Sequence, residues 1–173
     1  MALSSPATAD LCDAHIDTPV DTIADSSISV VLPNVLRDFG GRISFHGQAV
    51  TARCYESNVL ICQLLDTPGQ GRVLVVDGGG SLRCALLGDR LAQLAADNDW
   101  SGLIVNGCVR DTAALAKINI GIKAIAPCPL KSSKRDPGLK AVRVIIGGVQ
   151  IRPGDWVYAD ADGVLVSKEE LSV

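Results

Sequence analysis

Asp89 and the pair Arg110–Asp111 are the residues in this chain whose types and spacing could do chemistry. They sit at the two ends of "GDRLAQLAADNDWSGLIVNGCVRD", a stretch otherwise made mostly of Leu, Ala, Val and Gly. A solvated surface scatters its charges, whereas these fall where a strand–helix–strand unit changes direction. At the carboxyl ends of parallel strands, such turns lie where open α/β sheets bind ligands. The amides of Gly88, Asp89, Arg90 and Leu91 would form a cradle for a carboxylate at a helix start. Arg110 would add a charge-assisted donor, and Asp111 a hard oxygen ligand for a divalent cation. One carboxylate completed by waters suits Mg²⁺ or Mn²⁺ rather than zinc. The competing reading makes Asp89 and Asp111 plain helix caps. It accounts for the aspartates but not for Arg110, whose charge opposes the dipole at a helix start.

Something must hold those turns in place. "RVLVVD" (72–77) is a continuous apolar run of strand length, as in a strand buried on both faces. "GGGSLRCALLG" reads as a loop leading into a short strand. A helix is expected over 89–98, with Asp89 at its N-cap and Leu87, Leu91, Leu94 and Ala95 as its apolar stripe. "SGLIVNG" (101–107) gives a second buried strand, "DTAALAKIN" (111–119) a second aspartate-headed helix, and "IKAIAP" (122–127) a third strand. This alternation implies parallel strands with right-handed crossovers. Upstream, residues 1–30 form a lead-in segment, with "ATADLCDAHI" as a short helix and "DTPVDTIADSS" (17–27) as loop. "GRISFHGQAVTARC" (41–54) is β-rich with a bulge or bend at Gly47, and "SNVLICQLLD" (57–66) is helical with Ser57 as N-cap. Downstream, a polar loop "KSSKRDPGLK" precedes short, turn-punctuated strands that should pair antiparallel. The fold expected is α/β: a single compact domain over residues 1–173, with a parallel β-α-β core and additional antiparallel strands.

Composition narrows the functional classes. Residues of hydrophobic type make up 47% of the chain, enough for a core, so disorder is not expected. No apolar run has the length of a membrane helix, and the expectation is a soluble, cytoplasmic protein. A net charge of −3 argues against a nucleic-acid partner bound through a broad basic face. The six cysteines form no CxxC and read as small buried hydrophobes in a reducing compartment.

Other motifs weaken on inspection. Gly78–Gly79–Gly80 follows a strand, but eight residues separate it from Asp89, whereas a dinucleotide fingerprint needs its helix at once. "DADGVLVSKEE" imitates a calcium loop, yet Tyr158 would occupy its first ligand position, so a β-turn is the better reading. His15 and His46 stand alone, with no nucleophile elbow for a triad. Lys131, Lys134, Arg135, Lys140 and Arg143 form the one basic cluster, read as a solvated loop that could also meet a protein or RNA partner. Lys117 and Lys123 are placed inside an expected helix and strand, so no Schiff-base lysine is assigned.

The spacing from Asp89 to Arg110–Asp111, with residues 90–109 between, resembles the D-x20-R-D signature of the 4-hydroxy-4-methyl-2-oxoglutarate / 4-carboxy-4-hydroxy-2-oxoadipate aldolases. That family also contains the RraA proteins, regulators of ribonuclease E activity. "RVLVVDGGGSLRCALLGDRLAQLA", "GLIVNGCVRD", "CPLKSSK" and "GDWVYADADGVLVS" resemble further family blocks, so the likeness spans residues 10 to 170. It implies an RraA-like swivelling β/β/α fold, a homotrimer with sites near subunit interfaces, and metal-dependent class II cleavage of a small 2-oxo acid to pyruvate and a second 2-oxo acid. Oxaloacetate decarboxylation is the implied companion activity. Carried onto this chain, the resemblance gives the pyruvyl carboxylate to the amides of Gly88, Asp89, Arg90 and Leu91, and the keto oxygen to Arg110. Asp111 holds the metal, and Asp89 helps fix the loop or metal-bound waters. The aldolases also bring an acidic residue from a neighbouring subunit; Glu169 and Glu170 are the counterparts available here. The alternative implied is a non-catalytic regulator of ribonuclease E-type or RNA helicase partners, with ribonuclease inhibitor activity.

Overall fold

Apolar runs with residues of both faces buried become the central strands of the molecule. In this computed structural model, which describes residues 5–16, 27–31 and 33–172, the chain opens with α1 (Thr8–His15), β1 (Ile28–Val30), β2 (Arg37–Asp38) and β3 (Phe45–Arg53). Then follow α2 (Val59–Leu65), β4 (Val73–Asp77), β5 (Ala85–Leu87), α3 (Asp89–Asp97), β6 (Gly102–Val109), α4 (Thr112–Leu115) and β7 (Gly121–Pro127). Five short strands complete it: β8 (Leu139–Lys140), β9 (Val144–Ile146), β10 (Val149–Ile151), β11 (Trp156–Ala159) and β12 (Val164–Ser167). The loop expected over residues 17–27 lies almost wholly outside the described residues.

β3, β4, β6 and β7 pair in parallel, and β5 continues the line of β4 along the far end of β6. β2, β8, β11, β12 and β1 add antiparallel edges, giving the order β1-β12-β11-β3-β4-β6-β7-β2, while β9 and β10 form a separate hairpin. This is the expected parallel β-α-β core with antiparallel additions. Successive residues of β4 serve opposite faces, as strand pleating requires. Leu74 and Val76 join the core under α2 and α3, whereas Val73 and Val75 face the strands β9 to β12. Ile104 of β6 turns to that second core, between Leu103 and Val105 in the first. The sheet therefore curls so that its antiparallel part covers the face the helices leave open.

Four local expectations are corrected. Gly47 makes no bulge, because its register with Val157 continues unbroken. Its φ is +158° and a Cβ there would lie 2.2 Å from the Gly71 carbonyl oxygen, so glycine serves a close backbone approach. Ser57 does not cap α2: Asn58 holds that position, and the buried Ser57 hydroxyl donates to the Asp136 carbonyl at 2.7 Å. Gly88, not Asp89, is the N-cap of α3. The second helix stops at Leu115, far short of residue 119, and Asp111 ahead of it is left-handed (φ 57°, ψ 38°) with no side-chain cap bond.

The "DADG" segment is a turn, and it holds α1. The Asp160 carboxylate accepts from the Thr8 amide (2.7 Å), the Thr8 hydroxyl (2.7 Å), Asp162 N (3.0 Å) and Gly163 N (3.3 Å). Its backbone carbonyl receives the ammonium of buried Lys123, which also pairs with Asp38 at 2.9 Å. Burial alone would raise the Asp160 carboxyl, but the donors from Thr8, Asp162 and Gly163 outweigh it and hold the group below the ordinary carboxylate range. A depressed carboxyl stabilises the fold at pH values above its unfolded pKa, and that contribution fades as acid reaches its lowered one. Asp160→Ala should cost about 1–2 kcal/mol in a urea melt at pH 7, the discount reflecting partial exposure. The gap to wild type should narrow toward pH 3; a gap unchanged by acid would show that α1 is held by its apolar contacts instead.

Candidate active site

The ends of β5 and β6 are tied by one backbone bond, from Arg110 N to Leu87 O at 2.9 Å, and this brings the two charged turns together. The Asp111 carboxylate, thrown away from its own short helix by the left-handed backbone, points at the start of α3. Its Oδ2 lies 3.4 Å from Asp89 N and 3.6 Å from Arg110 Nε. Asp and Asn tolerate this backbone region better than other residues with a side chain. Gly88 makes the approach possible: a Cβ there would stand 2.7 Å from Asp111 Oδ2 and 3.3 Å from Arg110 Nε. Arg110 and Asp111 keep about two fifths of their side-chain surface exposed (41% and 40%), so neither is consumed by a buried ion pair.

A cleft of about 530 Å³ opens beside this junction. Gly88, Asp89, Arg90, Leu91 and Arg110 line it, and Asp111 touches the same turn from alongside. Five of the six residues expected at the site thus face one space. Two cradle amides already have partners: Arg90 N donates to Asp89 Oδ1 at 2.7 Å and Asp89 N to Asp111 Oδ2 at 3.4 Å. The aspartate shapes the turn as well as charging it.

The opposite wall was not foreseen. Lys131, Ser132 and Lys134, read from sequence as part of a solvated loop, line the cleft together with Asn58. Parallel bridges from Ala85 to Lys131 and from Ser57 to Ser133 carry this segment across to β5 and the start of α2. Ser132 is 9% exposed, and its Oγ, like Asn58 Oδ1, is a buried polar atom with no hydrogen-bond partner in the protein. Buried polar groups are normally satisfied, so these two atoms beside the cleft call for a polar partner, an ordered water or a ligand group. The lone signal in the sequence was the basic cluster itself.

The donors suit a hydrated divalent ion better than a caged one. Among the described residues, no three His, Cys, Asp or Glu side chains converge to hold a metal. Asp111 offers one hard carboxylate beside an open cleft, which fits an ion that keeps most of its water, as Mg²⁺ does, and does not fit structural zinc.

Both histidines stand apart from this chemistry. His46 stacks on Tyr158 (centroids 5.7 Å apart, 2° between planes), and burial lowers its pKa against the pull of Glu170. His15 Nε2 lies 2.8 Å from the Ser172 carbonyl. His46 and Glu170 share a hollow with Gly71 and Arg72, at the start of the parallel strands, whereas Arg110 follows their far end. The eight residues of β6 put about 23 Å between these ends, so Glu170 lies far from the cleft within this chain.

Comparison with known proteins fits this geometry. The RraA-like family profile, described as Aldolase/RraA, matches residues 8–166. A protein of Cupriavidus necator, provisionally named 4-hydroxy-4-methyl-2-oxoglutarate aldolase, is 53% identical over 166 residues, covering 96% of this chain and 98% of its own. Two solved structures superpose closely. One, from Geobacillus kaustophilus and described as an S-adenosylmethionine:2-dimethylmenaquinone methyltransferase, has a TM-score of 0.87 and 44% identity, covering 96% of this chain and 97% of its own. The other, described as the RNA-processing inhibitor RraA of Thermus thermophilus, has a TM-score of 0.86 and 41% identity, covering 96% and 95%.

Proposed function

The chain belongs to the RraA-like family, and on that premise we propose that it is a divalent-cation-dependent aldolase. Its substrate would be a 4-hydroxy-4-methyl-2-oxoglutarate-type acid, cleaved to pyruvate and a second 2-oxo acid. The observation that carries this reading is the junction of the Gly88 turn with Arg110 in a cleft also lined by Lys131 and Lys134, with Asp111 bonded to the same turn from alongside.

Chemistry assigns the parts. The amides at the start of α3 take the C1 carboxylate, helped by the positive helix terminus. Arg110 takes the C2 keto oxygen. As the C4 hydroxyl gives its proton to solvent and becomes the carbonyl of the second 2-oxo acid, the C3–C4 bond breaks and leaves its electron pair on C3. That charge spreads onto the same keto oxygen as the enolate, which takes a proton from solvent at C3 to give pyruvate. The guanidinium therefore binds more tightly as the reaction proceeds, which is the requirement for catalysis rather than mere binding. A cation held by Asp111, Mg²⁺ or Mn²⁺, would add positive charge for that oxygen. In this reading Asn58 Oδ1 would accept from the C4 hydroxyl, and Lys131 and Lys134 with Ser132 would receive the distal carboxylate; all four residues line the cleft. Loss of carbon dioxide from oxaloacetate generates the same enolate, so decarboxylase activity belongs to the proposal. So do a homotrimer and a cytoplasmic setting; among the described residues no helix is long and apolar enough to cross a membrane.

Pyruvate release from 4-hydroxy-4-methyl-2-oxoglutarate, followed with Mg²⁺ and after chelation, tests the assignment. Turnover should vanish with chelator and return with metal, and Lys134→Ala should raise KM about tenfold with little change in kcat. Turnover indifferent to chelator would remove the cation, and no turnover on any such acid would remove the aldolase. The likeness to the RNA-processing inhibitor supports a second reading, a regulator that binds ribonuclease E-type or helicase partners. Reversing Lys131, Lys134 and Arg135 should then abolish capture of such a partner.

A further inference from the structure

Three cysteines stand at the roots of the three segments that build the cleft. Cys84 immediately precedes β5 and the Gly88 turn, Cys108 lies on β6 just ahead of Arg110, and Cys128 follows β7 just ahead of Lys131. All are free thiols; Cys84 and Cys108 are buried and Cys128 is half-buried. The strand register explains their convergence. Cys108 pairs with Ala126, so Cys128, two residues further along, belongs to the same face, and its amide is bonded to the Val109 carbonyl at 2.8 Å. Beyond it the chain crosses to Ala85, the residue after Cys84. Burial first, then Cys128, then Cys84 push the Cys108 thiol up, and Cys128 also acts on Cys84. A metal is not the occupant, since among the described residues no three such donors meet at a point that could hold one.

We propose that Cys108 and Cys128 form a peroxide-responsive disulfide site whose closure disables the cleft; the second half of this rests on the aldolase reading. The half-buried Cys128 sulfur attacks one oxygen of a hydroperoxide, the O–O bond breaks, and water or an alcohol leaves as the sulfenic acid forms. The Cys108 sulfur then attacks that sulfenic sulfur, the S–O bond breaks, and a second water carries off the Cys108 proton. Two thiols have supplied two electrons, and the peroxide is reduced. Neighbouring strands lie about 4.8 Å apart and two residues span about 6.6 Å, so this diagonal pair starts about 8 Å apart at Cα. A disulfide needs about 4.4–6.8 Å, so the bond must draw the ends of β6 and β7 together. Those ends carry Arg110–Asp111 on one side and Lys131–Lys134 on the other. A shift of about 1 Å in such a site costs on the order of 10²-fold in rate.

The test treats the native protein with a small excess of hydrogen peroxide, then maps thiols and cross-linked peptides by mass spectrometry beside pyruvate release. Expected are the loss of two of the six thiols, a Cys108–Cys128 peptide lighter by two hydrogens, and turnover down about 10²-fold and restored by dithiothreitol. Cys128→Ser should resist peroxide at full turnover, and Cys84→Ser should still form the cross-link. Six surviving thiols, or a cross-link through Cys84, would overturn the site. A Cys108–Cys128 bond with undiminished turnover would overturn its effect on the cleft. A reduced protein that releases no pyruvate counts against the aldolase alone, because the cross-link is still decided by mass.

Discussion

Arg110→Ala is expected to lower kcat for pyruvate release by about 10²–10³-fold, the loss seen when one donor to a developing oxyanion is removed. The fold should hardly notice. Arg110 Nε sits 3.6 Å from Asp111 Oδ2 with both side chains well exposed, and such pairs contribute about 0–1 kcal/mol. The bond that joins β5 to β6 uses the Arg110 backbone amide, which the substitution keeps. Melting within a few degrees of wild type alongside the rate loss would separate catalysis from scaffolding. Arg110→Lys retains a charge but not the planar fork, and should fall between the two. KM should move little, because the guanidinium is aimed at charge that appears only as the bond breaks. An alanine variant within threefold of wild-type kcat would remove Arg110 from the reacting oxygen, and the aldolase proposal would lose its electrophile.

How far this site could be read in advance depended on the range over which its residues act. The runs 72–77 and 101–107 declared themselves as buried strands because both faces are apolar, 122–127 was legible as a third strand, and β4, β6 and β7 follow them closely. The charged turns at Asp89 and Arg110–Asp111 were visible because charge inside an apolar segment needs a reason. The caps were less legible: Asn58 and Gly88 hold the positions read for Ser57 and Asp89. Asp111 does head its helix but turns its side chain to a distant partner, the Asp89 amide, as Ser57 turns to the Asp136 carbonyl. The lysine wall was hidden for the same cause: Lys131 to Lys134 reach the cleft through bridges to Ala85 and Ser57, pairings that no periodicity records. Asn58 and Ser132 carry no charge and no motif, and only their unmet hydrogen bonds reveal them.

Gly88→Ala isolates the geometry of the turn from its chemistry, since it deletes no charge and no hydrogen-bonding group. The residue is extended (φ −133°, ψ −174°), a conformation alanine adopts freely, so the backbone itself is not strained. The added methyl would lie 2.7 Å from Asp111 Oδ2 and 3.3 Å from Arg110 Cγ and Nε, closer than packed carbon and oxygen allow. What must give way is the far end of two exposed side chains, a cheap adjustment for the fold. The variant should therefore fold, with stability within about 1 kcal/mol of wild type. Both groups displaced are those assigned to the enolate oxygen and its cation, and both are pushed from the carboxylate cradle. A displacement of this size in a reacting array costs about 10²-fold, so kcat should drop by that factor while the Mg²⁺ concentration needed for half-activity rises. Gly88→Ser should behave alike, because its extra hydroxyl cannot restore the lost space. An alanine variant as active as wild type would mean that Asp111 and Arg110 work without touching this turn, and the two charged ends of the segment would then owe their closeness to packing alone.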